Sequence, residues 1–581
     1  MARTFEKVKG LHPRRSFFNL SMDKVYNCDM GQLIPSYMRF MVPGDIFRVR
    51  QQIVVRSPEP LRSPAVAEIN VHSYGFFIPL RILMGENTLD ENGWNEWEIH
   101  DHDFEKFITG RRVNNTAVVS LPRWIPTGED VVNDNWNGIE PEYDPDTGAV
   151  TNGSNLDDTN VTVADNGKYS LWDYMGYPID IIPQGAYPLD FKRRAYNMIW
   201  NEWMRDESVM PPVRVDTSNI VLNCCWKKDY FTSMLPWPQK GDPIAIPMRG
   251  NAAVDLNFPA KAPVKIDQGV APGNLQLGLG SGGVLVSKYD SENVVNYAGS
   301  AFTGEVNNSW IADLTGISGT AALTMAATFT VNDLRLAFQI QRWQELMART
   351  GSRYVEYLKA MYGTSPTDDT LQRPMFIGGS KSPVIISEVL QTSTGDSGVG
   401  SMSGHAISAD ANQITKFRAN EFGLLMVLTV IKPKAMYQQG IEREDLYESN
   451  LEFYNPAMVN LGEQATFLAE IYAQNTGNRD SDGDHKTVGF QGRFNELRSA
   501  QSQVCGGLRD ELSYWVQSRV FASAPELNGQ FLKCNPSKNI FRVQDEPSFV
   551  VFVHNDVKAF RPLPVDAQPG LIDHLYGERR S

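Results

Sequence analysis

One glycine-rich run has the spacing of a phosphate-binding loop. Gly278, Gly280 and Gly283 satisfy GxGxxG, whose backbone can hold a pyrophosphate where the run follows a strand and opens a helix. Residues 284–286, which are Val-Leu-Val, are typical of a strand, and the surrounding residues lack a helix pattern. We therefore interpret the run as a flexible turn, and we predict no cofactor.

Two polar runs carry side chains that could bind a metal ion. Residues 100–103 are His-Asp-His-Asp, but they do not have the i, i+4 spacing of a helical metal site. Residues 480–484 resemble the start of an EF-hand calcium loop, but Gly483 comes two positions before the glycine of such a loop. The glutamate that an EF-hand has at its twelfth position is also missing. We interpret the first run as a solvated polar loop and the second as a polar turn, and we predict no metal site.

No catalytic nucleophile is indicated. The sequence has no GxSxG elbow, and its cysteines form neither a CxxC pair nor a disulfide framework; they are Cys28, Cys224, Cys225, Cys505 and Cys534. Catalytic carboxylates are assembled in space and leave no spacing rule in sequence. A β-rich carbohydrate-binding module or a glycoside hydrolase, using some of the 12 tryptophans, is therefore the alternative to a structural protein.

The first fifteen residues are the candidate for nucleic-acid binding. They contain one acid, Glu6, and aromatic residues between five cations, which are Arg3, Lys7, Lys9, Arg14 and Arg15. Such an arm can neutralise phosphates while its rings stack on bases, although a merely solvated terminus is the alternative. A net charge of −14 would repel a polyanion if it were spread evenly, so contact with nucleic acid requires local basic patches.

The elements that would position these residues are mainly strands. Residues 65–74 alternate apolar and polar side chains, and residues 46–55 form a strand-like run between turn residues. Apolar runs at 422–431 and 548–554 indicate further strands far along the chain. Strands at both ends of a long chain predict an antiparallel sandwich whose first and last parts pair with each other.

Three helices are also predicted. Residues 189–207 and 332–350 carry apolar side chains at helical spacing, and residues 353–362 end at a glycine. The second helix has an apolar stripe formed by Leu336, Ile340, Trp343 and Met347. We expect this stripe to pack against a sheet, which makes Trp343 a core residue. Between the helices, residues 133–167 and 241–330 are interpreted as surface excursions.

Short motifs follow one another along the chain in the order of a known family. In the first half they are Arg15-Ser16-Phe17, Gly31-Gln32-Leu33-Ile34-Pro35, Pro43-Gly44-Asp45, Phe76-Phe77-Ile78-Pro79, Leu171-Trp172-Asp173-Tyr174 and Asp229-Tyr230-Phe231-Thr232. In the second half they are Asn332-Asp333-Leu334-Arg335, Leu371-Gln372-Arg373-Pro374, Gln439-Gly440-Ile441, Leu461-Gly462-Glu463-Gln464 and Gly489-Phe490-Gln491-Gly492-Arg493. By this order the sequence resembles the major capsid protein of the Microviridae, in particular its gokushovirus branch.

The resemblance implies a fold and an organisation. The fold is mainly β, an eight-stranded antiparallel jelly-roll β-sandwich with long loop insertions and a few helices. The organisation is a basic arm and lead-in at 1–40, the first part of the jelly roll at 41–240 with the excursion at 133–167, a variable insertion at 241–330, and helices, remaining strands and tail at 331–581. The insertion is expected to form protrusions at the threefold axes of a shell.

The resemblance also implies a function and partners. Copies of the chain would assemble into a T=1 icosahedral capsid around the circular single-stranded DNA genome of a bacteriophage, without catalysis. The expected partners are other copies of the chain, the genome, a small basic DNA-packaging protein, a scaffolding protein during assembly, and a host surface receptor met by the insertion. The expected location is the virion, after assembly in the cytoplasm of the bacterial host.

Overall fold

Antiparallel strands make up most of the regular structure. The computed structural model describes residues 15–58, 61–90, 93–109, 120–125, 166–179, 181, 186–241, 276–279, 285–288, 331–350, 353–368, 370–390, 402–460, 462–474 and 483–565. The strands are β1 (Ser16–Asn19), β2 (Met22–Cys28), β3 (Ile34–Met41), β4 (Ile46–Arg56), β5 (Ile69–Pro79), β6 (Gly85–Leu89), β7 (Asn95–Ile99), β8 (Gln276–Leu279), β9 (Leu285–Lys288), β10 (Met375–Leu390), β11 (Met402–Arg418), β12 (Gly423–Pro433), β13 (Glu463–Phe467), β14 (Thr487–Gly492) and β15 (Phe549–Arg561). The predicted mainly β fold is confirmed.

Eight of these strands form two sheets that face each other. One sheet has the order β2-β15-β4-β11 and the other the order β10-β5-β12-β3, with antiparallel pairing throughout. The long strand β10 joins them, because its first part pairs with β5 and its last part with β11. The end of β15 pairs with β1, beyond the stretch that pairs with β2. This strand order is compatible with the predicted eight-stranded jelly roll.

Alternate side chains of the two sheets fill the space between them. In β4, Phe47, Val49, Gln51, Ile53 and Val55 are buried, while the residues that alternate with them are more exposed, since successive side chains of a strand point to opposite faces. β15 alternates in the same way. The strands predicted at 46–55 and 65–74 are β4 and part of β5, and the run at 548–554 is the first half of β15.

The strands β5 and β12 of the sheet β10-β5-β12-β3 are buried on both faces. In β12, Leu425 and Val427 pack between the two sheets, whereas Leu424 and Met426 belong to a second hydrophobic core on the outer side. That second core is built from helices and connecting segments, and it contains the fully buried Trp172. Burial on both sides explains why residues 422–431 form an unbroken apolar run instead of an alternating one.

The helices confirm the three predicted segments and refine their ends. They are α1 (Asp101–Thr109), α2 (Leu171–Tyr174), α3 (Phe191–Ile199), α4 (Val331–Thr350), α5 (Tyr354–Tyr362), α6 (Leu468–Ile471) and α7 (Gly529–Leu532). α3 continues into a π-helical turn at Trp200–Met204, which replaces the last turns of the helix predicted at 189–207. α5 ends at Gly363, whose φ of 69° is left-handed and suits glycine.

The predicted core role of Trp343 is wrong. Trp343 is 50% exposed and Leu336 is 60% exposed, whereas Ala348 on the last turns of α4 is buried. Helical spacing identifies an apolar stripe, but it does not say what covers the stripe. At least half of the surface of each of these two side chains is therefore open to a partner.

The chain divides into two compact units. One unit comprises Met1–Gly241 with Gln344–Ser581, and the other comprises Asp242–Trp343. Of the second unit, the structure describes the hairpin β8–β9 and α4 as far as Trp343. Nearly all of the predicted excursion at 133–167, and most of that at 241–330, lies outside the described residues. None of the described helices combines the length and the apolar character that crossing a bilayer requires.

Candidate nucleic-acid interface

The predicted basic arm leads into the edge of one sheet. Arg15 is exposed, directly precedes β1, and places its guanidinium group against Gly44. The other predicted DNA-binding residues lie outside the described part of the chain: Arg3, Lys7, Lys9 and Arg14. Because β1 pairs with β15, the arm enters the fold beside the sheet β2-β15-β4-β11.

The outer face of that sheet is basic, a feature that the sequence reasoning missed. The inward packing of Phe47 and Val49 forces Arg48 and Arg50 outward. The strand register then places further cations next to them, because directly opposed residues in an antiparallel pair share a face. We call this surface the basic sheet face; its cations are Arg48, Arg50, Arg56, Lys416, Arg418 and Lys558.

Aromatic rings lie among these cations. Phe17 of β1 is directly opposite Phe560 of β15, and the two side chains are 58% and 41% exposed. Phe552 is 38% exposed on the same face. These exposed fractions leave ring surface on which a flat group such as a nucleobase can stack.

The charge on the basic sheet face is not balanced by its acids. Asp556 lies opposite Arg50, and Asp23 pairs with His554. Among the side chains that the structure describes on this face, these are two carboxylates against six cations, in a chain whose net charge is −14. Alternate cations along β4 are about 7 Å apart, since a strand rises by about 3.4 Å per residue. The face can therefore bind a flexible polyanion through several phosphates at once.

The two polar runs considered for metals have different surroundings. Residues 101–103 begin α1, so the interpretation of 100–103 as a loop is wrong beyond His100. His100 instead lies near Glu86 and Glu98 of the hairpin β6–β7, with ligand atoms within 4.8 Å of one another. Both glutamates are exposed, and such groups need no ion. In the other run, Asp484 accepts a hydrogen bond from the Gln474 amide at 2.8 Å, while residues 480–482 lie outside the described residues.

The GxGxxG run belongs to a hairpin. Gly278 lies in β8 and is directly opposite Val286 of β9. A phosphate-binding loop would be followed by a helix, whereas this one is followed by a strand. Gly280 and Gly283 lie outside the described residues. The interpretation of the run as a flexible turn stays a prediction, and no cofactor is assigned to it.

Comparisons with known proteins agree on one family. Residues 6–93 and 154–571 match the family described as "Capsid protein (F protein)". The chain is 29% identical to "Capsid protein VP1" of Chlamydia phage 1, with 98% of each chain covered. It is 27% identical to "Capsid protein VP1" of Bdellovibrio phage phiMH2K, over 92% of this chain and 90% of the relative. It is also 26% identical to "Capsid protein VP1" of Spiroplasma virus 4, over 98% and 97%.

These matches confirm the resemblance inferred from the ordered motifs. A capsid protein acts by associating with copies of itself, so it is a structural component of the virion and not an enzyme. The glycoside hydrolase alternative is therefore set aside. The family match extends over most of the sequence, including the strands of both sheets and the basic sheet face. The chain belongs to the capsid protein (F protein) family.

Proposed function

We propose that copies of this chain form a T=1 icosahedral shell around a circular single-stranded DNA genome, with the basic sheet face and the N-terminal arm on its inner surface. The basic sheet face carries this proposal, because it combines cations with exposed aromatic rings. The opposite sheet of the sandwich is covered by the second core. Among the described residues, the basic sheet face is thus the sandwich face open to a large ligand.

Contact with DNA would be largely independent of base sequence. Arginine and lysine side chains would neutralise phosphates, and phenylalanine rings would stack on whichever bases are near. Inward-facing cations and outward-facing acids would reconcile a net charge of −14 with packaging. A small basic protein packaged with the genome would neutralise part of the remaining phosphate charge, and a scaffolding protein would act during assembly.

Replacing Arg48 and Arg50 together with Gln is expected to weaken binding of the purified chain to a single-stranded oligonucleotide. The slope of log Kobs against log salt is negative, and each lost phosphate contact should reduce its magnitude by about 0.7. The slope of the double variant should therefore be shallower by about 1.4. Fluorescence anisotropy over a range of salt concentrations measures both the affinity and the slope. The two side chains point away from the core, so the melting temperature should change little.

A matched control removes the same charge from another exposed surface. Arg335 and Arg342 on α4 are exposed, and their joint replacement by Gln should leave the salt slope unchanged. Equal losses in both double variants would mean that only net charge matters. A particle reconstruction with Arg15 and Arg48 on the outer surface would remove the proposed role of the arm and the basic sheet face.

The apolar surface of α4 is the proposed contact between subunits. Its exposed side chains are Leu336 and Trp343, which lie on one face of the helix because they are seven residues apart. Apolar surface of this kind marks protein interfaces, and a closed shell buries several such patches on every subunit.

We also propose that the insertion at 241–330 projects at the threefold axes and meets a host receptor, within the four-part organisation inferred from the sequence.

Replacing Trp343 with Ala is expected to reduce the yield of particles without unfolding the subunit. The side chain is half exposed, so its truncation should lower the free energy of unfolding by less than about 1 kcal/mol. Negative-stain microscopy measures the yield of isometric particles, and thermal unfolding measures stability. A normal particle yield would show that this surface is not a subunit contact. A persistent wild-type monomer that binds glycans would instead favour the carbohydrate-binding module.

A further inference from the structure

A cavity of about 380 Å³ lies on the outer side of the sheet β10-β5-β12-β3. Tyr74 and Phe76 of β5 line it together with Phe376 of β10, and Trp203 of the π-helical turn lines it as well. The ring centroids of Trp203 and Phe376 are 5.9 Å apart. Phe376 is 43% exposed, so part of its ring is open to a ligand. π-Helical turns often occur at functional sites.

The cavity lining carries more positive than negative charge. Its cations are Arg205, Lys228 and Lys432, and its carboxylate is Asp206, which pairs with Lys228. Lys432 donates a hydrogen bond at 3.1 Å to the carbonyl of Cys225, which is a neutral acceptor. Arg205 Nη2 lies 3.8 Å from the Glu207 carboxylate, while its Nε is buried and has no hydrogen-bond partner among the described residues. The lining would therefore be stabilised by an anion.

The surroundings of the cavity reinforce this charge. His72 lies beside Tyr74, with the two rings stacked at a centroid distance of 6.0 Å. Burial, which is the largest cause, and the charges of Lys432, Lys381 and Lys227 together lower the pKa of His72 to about 4. The three lysines near His72 therefore make the electrostatic potential positive at this end of the sheet.

The shape and chemistry of the lining select one class of ligand. Small-molecule sites usually have volumes of about 300–1,000 Å³, so this cavity suits a compact molecule. Aromatic rings favour a flat ring system, and the lysines favour a phosphate. A neutral sugar would leave the ammonium group of Lys432 without a counter-charge, whereas a phosphate would supply one.

We propose that this cavity binds a nucleotide, with the nucleobase against Trp203 and Phe376 and the phosphate near Lys228 and Lys432. The cavity is separate from the basic sheet face, because it lies on the other sheet. The proposal therefore does not rest on the enclosure of DNA by that face. The nucleotide is either a free mononucleotide or one unit of a single strand, and both offer the same ring and phosphate.

Calorimetric titration of the purified full-length chain tests the proposal, with deoxyadenosine monophosphate and a short single-stranded oligonucleotide as probes. The double variant Phe376→Leu with Lys228→Gln should bind the mononucleotide about tenfold more weakly, because it loses a stacking ring and a cation. Phe376→Tyr keeps the ring and should bind like the wild type. An unchanged melting temperature of the double variant would exclude misfolding as the cause of its loss of binding. Retained binding in Phe376→Tyr would show that the aromatic ring at this position is sufficient.

The matched control makes the same two changes on the basic sheet face. Phe560 and Lys558 are 41% and 50% exposed, close to the 43% and 53% of Phe376 and Lys228. Phe560→Leu with Lys558→Gln should weaken binding of the oligonucleotide and leave mononucleotide binding unchanged. If the double variant at Phe376 and Lys228 also binds the oligonucleotide more weakly, the natural ligand of the cavity is a unit of a single strand. If only mononucleotide binding is weakened, the natural ligand is a free nucleotide.

Two outcomes would overturn the nucleotide site. One is that neither probe loses affinity in the double variant at Phe376 and Lys228. The other is that a neutral disaccharide competes with the mononucleotide in the wild-type chain. Neither outcome would affect the proposed role of the basic sheet face, which its own variants test.

Discussion

Replacing Asp190 with Ala is expected to lower the free energy of unfolding of the subunit by about 3–5 kcal/mol, because it leaves buried positive charge without a partner. The Asp190 side chain is 2% exposed. It accepts hydrogen bonds from Arg193 Nε at 2.7 Å, from Arg193 Nη2 at 2.8 Å and from Arg194 Nε at 2.9 Å. Chemical denaturation of the purified subunit measures the loss.

Asp190→Ala should also disturb the packing of the second core around the start of α3. Arg193 also lies over the ring of Trp124, and Arg194 lies over the ring of Trp97, so both arginines connect the helix to the second core. An exposed ion pair provides the control. Glu526, 70% exposed, pairs with Lys486 at 3.1 Å, and Glu526→Ala should cost less than about 1 kcal/mol. Similar losses in the two variants would contradict the importance of burial.

Replacing Gly31 with Ala is the second change for which a large loss is expected. Gly31 has a φ of +86°, and an added Cβ would lie 1.9 Å from the carbonyl oxygen of Cys534. The backbone there cannot move freely, since the Gly31 amide donates to Ile431 and its carbonyl accepts from Cys224. Backbone strain of about 1–2 kcal/mol and a steric clash of about 1–3 kcal/mol should add up. The melting temperature and the yield of soluble subunit measure the effect.

Gly176 separates the two contributions. Its φ is +83°, close to that of Gly31, but an added Cβ would meet nothing within 4 Å. Gly176→Ala should therefore show the backbone strain alone, and the difference between the two variants should give the cost of the clash. Equal losses would mean that the segment around Cys534 moves aside easily.

Much of the fold followed from local pattern. The alternation in β4 and the unbroken apolar run in β12 each predict a strand, because burial on one face or on two faces leaves a different trace in sequence. The pairing of the strands leaves no such trace. The order of the two sheets was therefore implied by the resemblance to capsid proteins and not by periodicity. The exposure of Trp343 could not be predicted either, since an apolar stripe does not identify what covers it.

The candidate interface was predictable only in part. The arm was visible because its cations are adjacent in sequence, and Arg48 and Arg50 occupy alternate positions of a predicted strand. Lys558 joins them only through the pairing of β15 with β4, which connects residues about five hundred positions apart, as Gln51 and Asn555 show. A surface assembled by long-range register cannot be found from local composition.

The position of β15 affects when the subunit can fold. β15 is the last of the described strands, and it lies between β2 and β4. β2 and β4 therefore have no shared neighbour until β15 has been synthesised. The buried hydrogen bond from Gln51 to Asn555, 2.7 Å long, can form only then. Such distant contacts are slow to form because a very long loop must close first. The sandwich therefore cannot be completed before β15 has been synthesised, and a chain terminated before β15 lacks the strand that joins β2 to β4 in the basic sheet face.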